Sequence, residues 1–67
     1  MTSTRAKIDL MRAGYRVQVI GNCAWVFEGT KPYSVKPTEE SIAAVLPELD
    51  AETDIWQYGT RVFLLLN

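Results

Sequence analysis

Apolar positions switch between helical and alternating spacing along this chain, and each stretch predicts an element. Ala6, Leu10 and Ala13 recur at intervals of four and three, which predicts a helix over 4–13. Ser3 or Thr4 is placed to cap its first amides, and Gly14 stands where a left-handed residue ends a helix. Tyr15 then falls one position further on, within reach of Leu10. On the opposite side Arg5, Asp9 and Arg12 form an ion-pair ladder worth about a few tenths of a kcal/mol per pair. That side faces water.

Tyr15 to Glu28 reads as a β-hairpin around Gly21-Asn22, and loop length decides which side chains share a face. A two-residue loop pairs Ile20 with Cys23. It groups Tyr15, Val17 and Val19 with Ala24, Val26 and Glu28, and leaves Trp25 and Phe27 beside Arg16 and Gln18. A three-residue loop over Gly21-Asn22-Cys23 instead pairs Val19 with Trp25, Val17 with Phe27 and Arg16 with Glu28. That register sorts apolar from charged residues more cleanly and sets opposite charges across from each other, so it is the expected one. One feature opposes it: three-residue loops favour glycine in the last position, and here glycine comes first.

Gly29 to Pro37 reads as a loop or short edge strand, because Lys31-Pro32 and Lys36-Pro37 bracket Tyr33-Ser34-Val35 and proline cannot donate to a ladder. Thr38 caps a second helix, with Glu39 and Glu40 in the first turn where the helix dipole favours acids. Ile42, Val45, Leu46 and Leu49 keep helical spacing, and Pro47 ends the helix near Leu46. The stretch 48–54 is an acidic loop, or the start of a short further helix at Asp50. Ile55 to Tyr58, a Gly59-Thr60 turn and Arg61 to Leu66 make a second hairpin, with Tyr58 opposite Arg61 and Trp56 opposite Phe63. The expected fold is α+β: one two-layer domain over residues 1–67, with a four-stranded antiparallel sheet, two short helices and the order α-β-β-α-β-β. Val62 to Leu66 is apolar at every position, so neither of its faces reads as solvated. Two short helices can cover one face of such a sheet and not both.

Composition adds a constraint. The chain has 67 residues, 48% of them hydrophobic, enough for one core and too apolar for a disordered chain of net charge −1. Chains this short usually need a disulfide, a metal or a partner for stability. The single cysteine, Cys23, rules out an internal disulfide, and the absence of histidine removes His-based zinc sites. A partner or a second copy is therefore the expected support, with a homodimer one possibility. Charge is divided: residues 1–36 carry six basic against two acidic side chains, a net of +4, and residues 37–67 one basic against six acidic, a net of −5. Residues 1–12 hold no apolar leader, and the longest apolar run, 62–66, is five residues against the ~20 that span a bilayer, so a soluble, cytoplasmic protein is expected.

Candidate chemistry is sparse. Without histidine, Ser-His and Cys-His pairs cannot be built, and the glycines stand singly at turns rather than in a phosphate cradle. Asp50, Glu52 and Asp54 alternate as in a calcium loop, yet Ile55 replaces the required glycine and Arg61 the closing glutamate. No enzyme activity, cofactor or metal is expected. What remains is a non-catalytic protein-binding module, plausible as a small regulator or inhibitor of the kind phage and plasmid genes encode. Its candidate partner-binding residues are Tyr33, Lys31, Lys36, Trp56, Tyr58 and Arg61, because Trp, Tyr and Arg dominate binding energy. The competing expectation is a nucleic-acid binder that uses the basic N-terminal half and the Lys-Pro loop, although the pI near 5.2 opposes it.

Overall fold

Thr2, rather than Ser3 or Thr4, opens the first helix. The computed structural model describes residues 2–30 and 34–66 and places α1 at Ser3–Arg12. Thr2 has an extended backbone, and its hydroxyl accepts the Arg5 N–H at 3.2 Å. The Ser3 hydroxyl is used elsewhere: it donates to the Gly21 carbonyl at 3.2 Å, tying the helix start to the first hairpin turn. At the other end the Gly14 N–H donates to the Met11 carbonyl and the Tyr15 N–H to that of Leu10, at 3.0 and 3.1 Å. Gly14 has φ of 101°, so this is the Schellman stop that the sequence predicts, with Leu10 and Tyr15 both buried. Of the expected ladder, the ion pair formed among the described residues is Arg5–Asp9, at 3.8 Å.

The first hairpin takes the two-residue loop, which overturns the expected register. β1 is Arg16–Ile20 and β2 is Cys23–Phe27. Ile20 lies opposite Cys23, Val19 opposite Ala24, Val17 opposite Val26 and Arg16 opposite Phe27. Two causes are visible. Gly21 has φ of 60° while Asn22 does not enter the positive region, the pattern of a type II′ turn with glycine at its first central position. The side chains beneath the helices are also small: Ala6 on α1 and Ala24 on β2 are each 1% exposed, which lets helix and sheet lie close. The three-residue register would put Trp25 and Phe27 in that space. Arg16 does not reach across to the Glu28 carboxylate; its Nε donates to the Glu28 backbone carbonyl at 2.8 Å.

α2 spans Glu39–Val45 and begins as expected at Thr38, in a reciprocal cap with Ser41. The Thr38 hydroxyl accepts the Ser41 N–H at 3.0 Å, and the Ser41 hydroxyl accepts the Thr38 N–H at 2.9 Å. The helix stops at Leu46, before Pro47. No further helix starts at Asp50: its carboxylate accepts the Glu52 N–H, and the Asp54 carboxylate accepts the Asp50 N–H. These local bonds satisfy the backbone as turns. Residues 29–30 and 34–37 form no strand, and the Gly29 N–H closes their loop on the Val35 carbonyl at 3.1 Å.

β3 is Ile55–Tyr58 and β4 is Arg61–Leu65, paired across Gly59-Thr60 in the expected register. β2 pairs antiparallel with β4, giving the order β1-β2-β4-β3 and a two-layer α+β fold. α1 packs on β1 and β2, and α2 on β3 and α1. Between the layers lie Leu10, Ala24, Val26, Ile42, Leu46, Ile55, Val62 and Leu64, all at most 2% exposed. Both helices are on one side of the sheet.

Candidate functional site: the open face of the sheet

Residues directly opposite each other in an antiparallel ladder share a face, so the register defines the other side of the sheet. It carries Arg16, Gln18 and Ile20 from β1, Cys23, Trp25 and Phe27 from β2, Arg61, Phe63 and Leu65 from β4, and Trp56 and Tyr58 from β3. Among the described residues no helix covers this face. Ile20 is 59% exposed, Tyr58 56% and Trp56 36%, while Trp25, Phe27, Phe63 and Leu65 are half-buried against one another. The aromatic side chains therefore form one contiguous, partly exposed patch.

Packing within the patch is specific. Trp25 sits at the centre, edge-on to Phe63 with ring centroids 4.9 Å apart, and tilted against Tyr58 at 5.6 Å. Trp56 meets the far side of Phe63 at 5.9 Å. The Arg61 guanidinium lies 5.7 Å from the Trp25 ring centre and 5.3 Å from that of Phe27; Arg16 lies 5.5 Å from Phe27 on the other flank. Each such cation–π contact contributes about 0.5–1 kcal/mol at an exposed site. The rings and guanidinium groups thus pack against one another as one cluster. None of the strand residues on this face is acidic, although the protein as a whole carries a net charge of −1. Six of the eight acids lie on the first turn of α2 and in the 48–54 loop; Asp9 is on α1 and Glu28 directly follows β2.

The candidate residues named from sequence divide three ways. Trp56, Tyr58 and Arg61 come together on the open face. Lys36 is exposed in the loop before α2, apart from that cluster. Lys31 and Tyr33 lie outside the described residues. Sequence reasoning missed Trp25, Phe27, Phe63 and Arg16, and the signal that could have found them is Gly21. Read as the first residue of a type II′ turn, it moves Trp25 and Phe27 onto the face of Trp56 and Phe63.

Cys23 is half-buried at the edge of the patch, its thiol 3.5 Å from the Asn22 side-chain oxygen. Among the described residues no three His, Cys, Asp or Glu side chains gather in a way that could hold a metal ion, and no helix is long and apolar enough to cross a membrane. Comparison with known proteins adds no relative: no family model, curated protein or solved structure matches this chain.

Proposed function

We propose that this protein is a non-catalytic protein-binding module that docks a partner protein on the open face of its sheet, acting as a small regulator or inhibitor. The observation that carries this reading is the Trp25–Phe63–Trp56–Tyr58 cluster, with Arg61 over Trp25 and Phe27 and Arg16 over Phe27. Trp, Tyr and Arg held in a central cluster are the composition of an interface hot spot. Because the strand residues of this face are basic or neutral, the partner should offer an apolar centre rimmed by carboxylates. Two copies packed face to face would confront Arg16 and Arg61 with their own kind, which argues for a different protein over the homodimer that the sequence leaves as one possibility.

A nucleic-acid reading has one observation in its favour, since aromatic rings and arginines on a sheet also make a base-stacking platform. The ring arrangement weighs against it. Arg61 lies over Trp25 and Phe27, so two of the central rings already carry a cation on one face, and among the rings of this patch Trp56 and Tyr58 are the exposed ones.

The test is capture of a partner by the wild-type chain and by variants. A stoichiometric protein should be retained by wild type and by Glu40→Ala on α2, and lost with Trp56→Ala or Arg61→Glu. A mixed-sequence single-stranded oligonucleotide should not bind at low salt. An oligonucleotide affinity that falls steeply with log salt and is lost with Arg61→Glu would replace this reading with the nucleic-acid one.

A further inference from the structure

We propose that the open face takes an amphipathic helix of the partner protein, laid along the strands with its acidic end over Arg16 and Arg61. This rests on the open-face reading and deepens it by naming the partner's element and its direction. The register sorts the face into rows that cross the strands. Ile20, Cys23 and Leu65 make one end, and Trp25, Phe63 and Trp56 fill the middle. Arg16, Phe27, Arg61 and Tyr58 make the other end, with the Arg61 guanidinium 5.3 Å from the Phe27 ring centre. Both cations of the face therefore stand at one end. The opposite end is apolar, with Ile20 59% exposed and Leu65 half-buried.

Backbone chemistry selects a helix. The inner strands β2 and β4 are hydrogen-bonded to neighbours on both sides, so the middle of the face offers side chains only. An extended segment laid over it would bring its own N–H and C=O groups against rings that cannot pair them. A helix satisfies its backbone internally. Size agrees: strands about 4.8 Å apart and rows about 6.7 Å apart make a face of roughly 14 by 13 Å, filled by two to three turns of one helix about 10 Å across. So does layering, because both helices of this chain lie on one side of the sheet while β4 is apolar on both of its faces. Charge sets the direction. Among the described residues no carboxylate lies within ion-pair distance of Arg16 or Arg61. Arg16 donates its Nε to the Glu28 carbonyl, which leaves its two Nη groups for a carboxylate, and a guanidinium stacked on a ring still presents its N–H edge. Carboxylates on the last turn of the partner helix would meet both, and cations beside that turn suit the negative end of the helix dipole. A second copy supplies no such helix: α1 exposes Arg5, Lys7 and Arg12, and α2 is seven residues long with its acids in the first turn.

The experiment titrates the full ¹⁵N-labelled chain with a helical peptide that carries leucines at i, i+3 and i+7 and glutamates at i+10 and i+11, held by a hydrocarbon cross-link on its far side. The indole N–H signals of Trp25 and Trp56 and the Nε–H signals of Arg16 and Arg61 should shift together. A nitroxide on the acidic end of the peptide should broaden the amides of Phe27 and Tyr58 more than those of Ile20 and Leu65, and a nitroxide on the leucine end should do the reverse. Lysines in place of the glutamates should weaken binding about tenfold at low salt. Arg61→Glu should reverse that preference, with unshifted Val26 and Leu64 amides reporting that the variant stays folded. Four results would overturn the inference: no shift of either indole at millimolar peptide, equal binding of the lysine peptide, equal broadening of both ends, or equal binding of a proline-broken peptide that cannot form a helix. Partner capture tests the open face without any peptide. A partner lost with Trp56→Ala and Arg61→Glu, together with an inert peptide, strikes the helix and leaves the face. A partner indifferent to both substitutions strikes the face and the helix with it.

Discussion

Replacing Gly21 with L-alanine should destabilise the protein by about 2 kcal/mol, and D-alanine at the same position should not. Gly21 has φ of 60°, and a Cβ added there meets nothing within 4 Å. Steric crowding with the rest of the protein is therefore absent, and the penalty is that of the backbone conformation alone, about 1–3 kcal/mol for an L-residue held in a sparsely populated region. In a domain of 60–100 residues each kcal/mol shifts the melting temperature by roughly 4–8 °C, so L-alanine should lower it by roughly 8–16 °C. D-alanine prefers the positive φ and restricts the unfolded chain, so it should leave stability unchanged or raise it by about 0.4–1 kcal/mol. A chain of this length is accessible to total synthesis, and thermal unfolding followed by circular dichroism compares the three forms directly. Asn22→Ala is the internal control, since Asn22 lies outside the positive region and should tolerate the change. Equal stability of the L- and D-alanine forms would refute the turn assignment, and with it the register that places Trp25 and Phe27 on the open face.

Other predictions rest on the same frame. Val26→Ala removes two methyl groups from a site with 0% exposure and should cost about 2–3 kcal/mol by chemical denaturation, whereas exposed Gln18→Ala on the neighbouring strand should stay within about 0.5 kcal/mol. Thr38→Ala removes the oxygen that accepts the Ser41 amide and should cost about 1 kcal/mol, seen as a lower denaturant midpoint with an unchanged slope.

Much of this fold is legible in the sequence because its punctuation is strong. Gly14 stops α1, Thr38 starts α2, Pro47 ends it, and Gly59 turns the second hairpin where expected. The first hairpin was misread for a definite reason. Sorting apolar from charged residues within two strands assumes that the burying face is the one with the largest side chains. Here α1 lies over Ala24 and Val26, and the aromatic side chains are left on the other side, where Trp25 finds partners supplied by β4 and β3. That preference depends on the β2–β4 pairing, which no local pattern in residues 15–28 contains. The continuous apolar run of β4 pointed the right way. Val62 and Leu64 are buried under the helices, and Phe63 and Leu65 belong to the face without a cover. The candidate site was half legible as a result: Trp56, Tyr58 and Arg61 follow from the second hairpin alone, while Trp25, Phe27 and Arg16 required the correct turn in the first.

The central claim, that a partner protein covers the open face, has a built-in reporter, because both tryptophans of the chain, Trp25 and Trp56, stand on that face. Broadening of the ¹⁹F resonances of 5-fluorotryptophan incorporated at these two positions by a soluble nitroxide quencher, measured for the free protein and for its complex with the captured partner, tests the claim most directly. The account predicts that solvent and quencher access falls at both positions on binding. Unchanged access at both tryptophans in a saturated complex would contradict it.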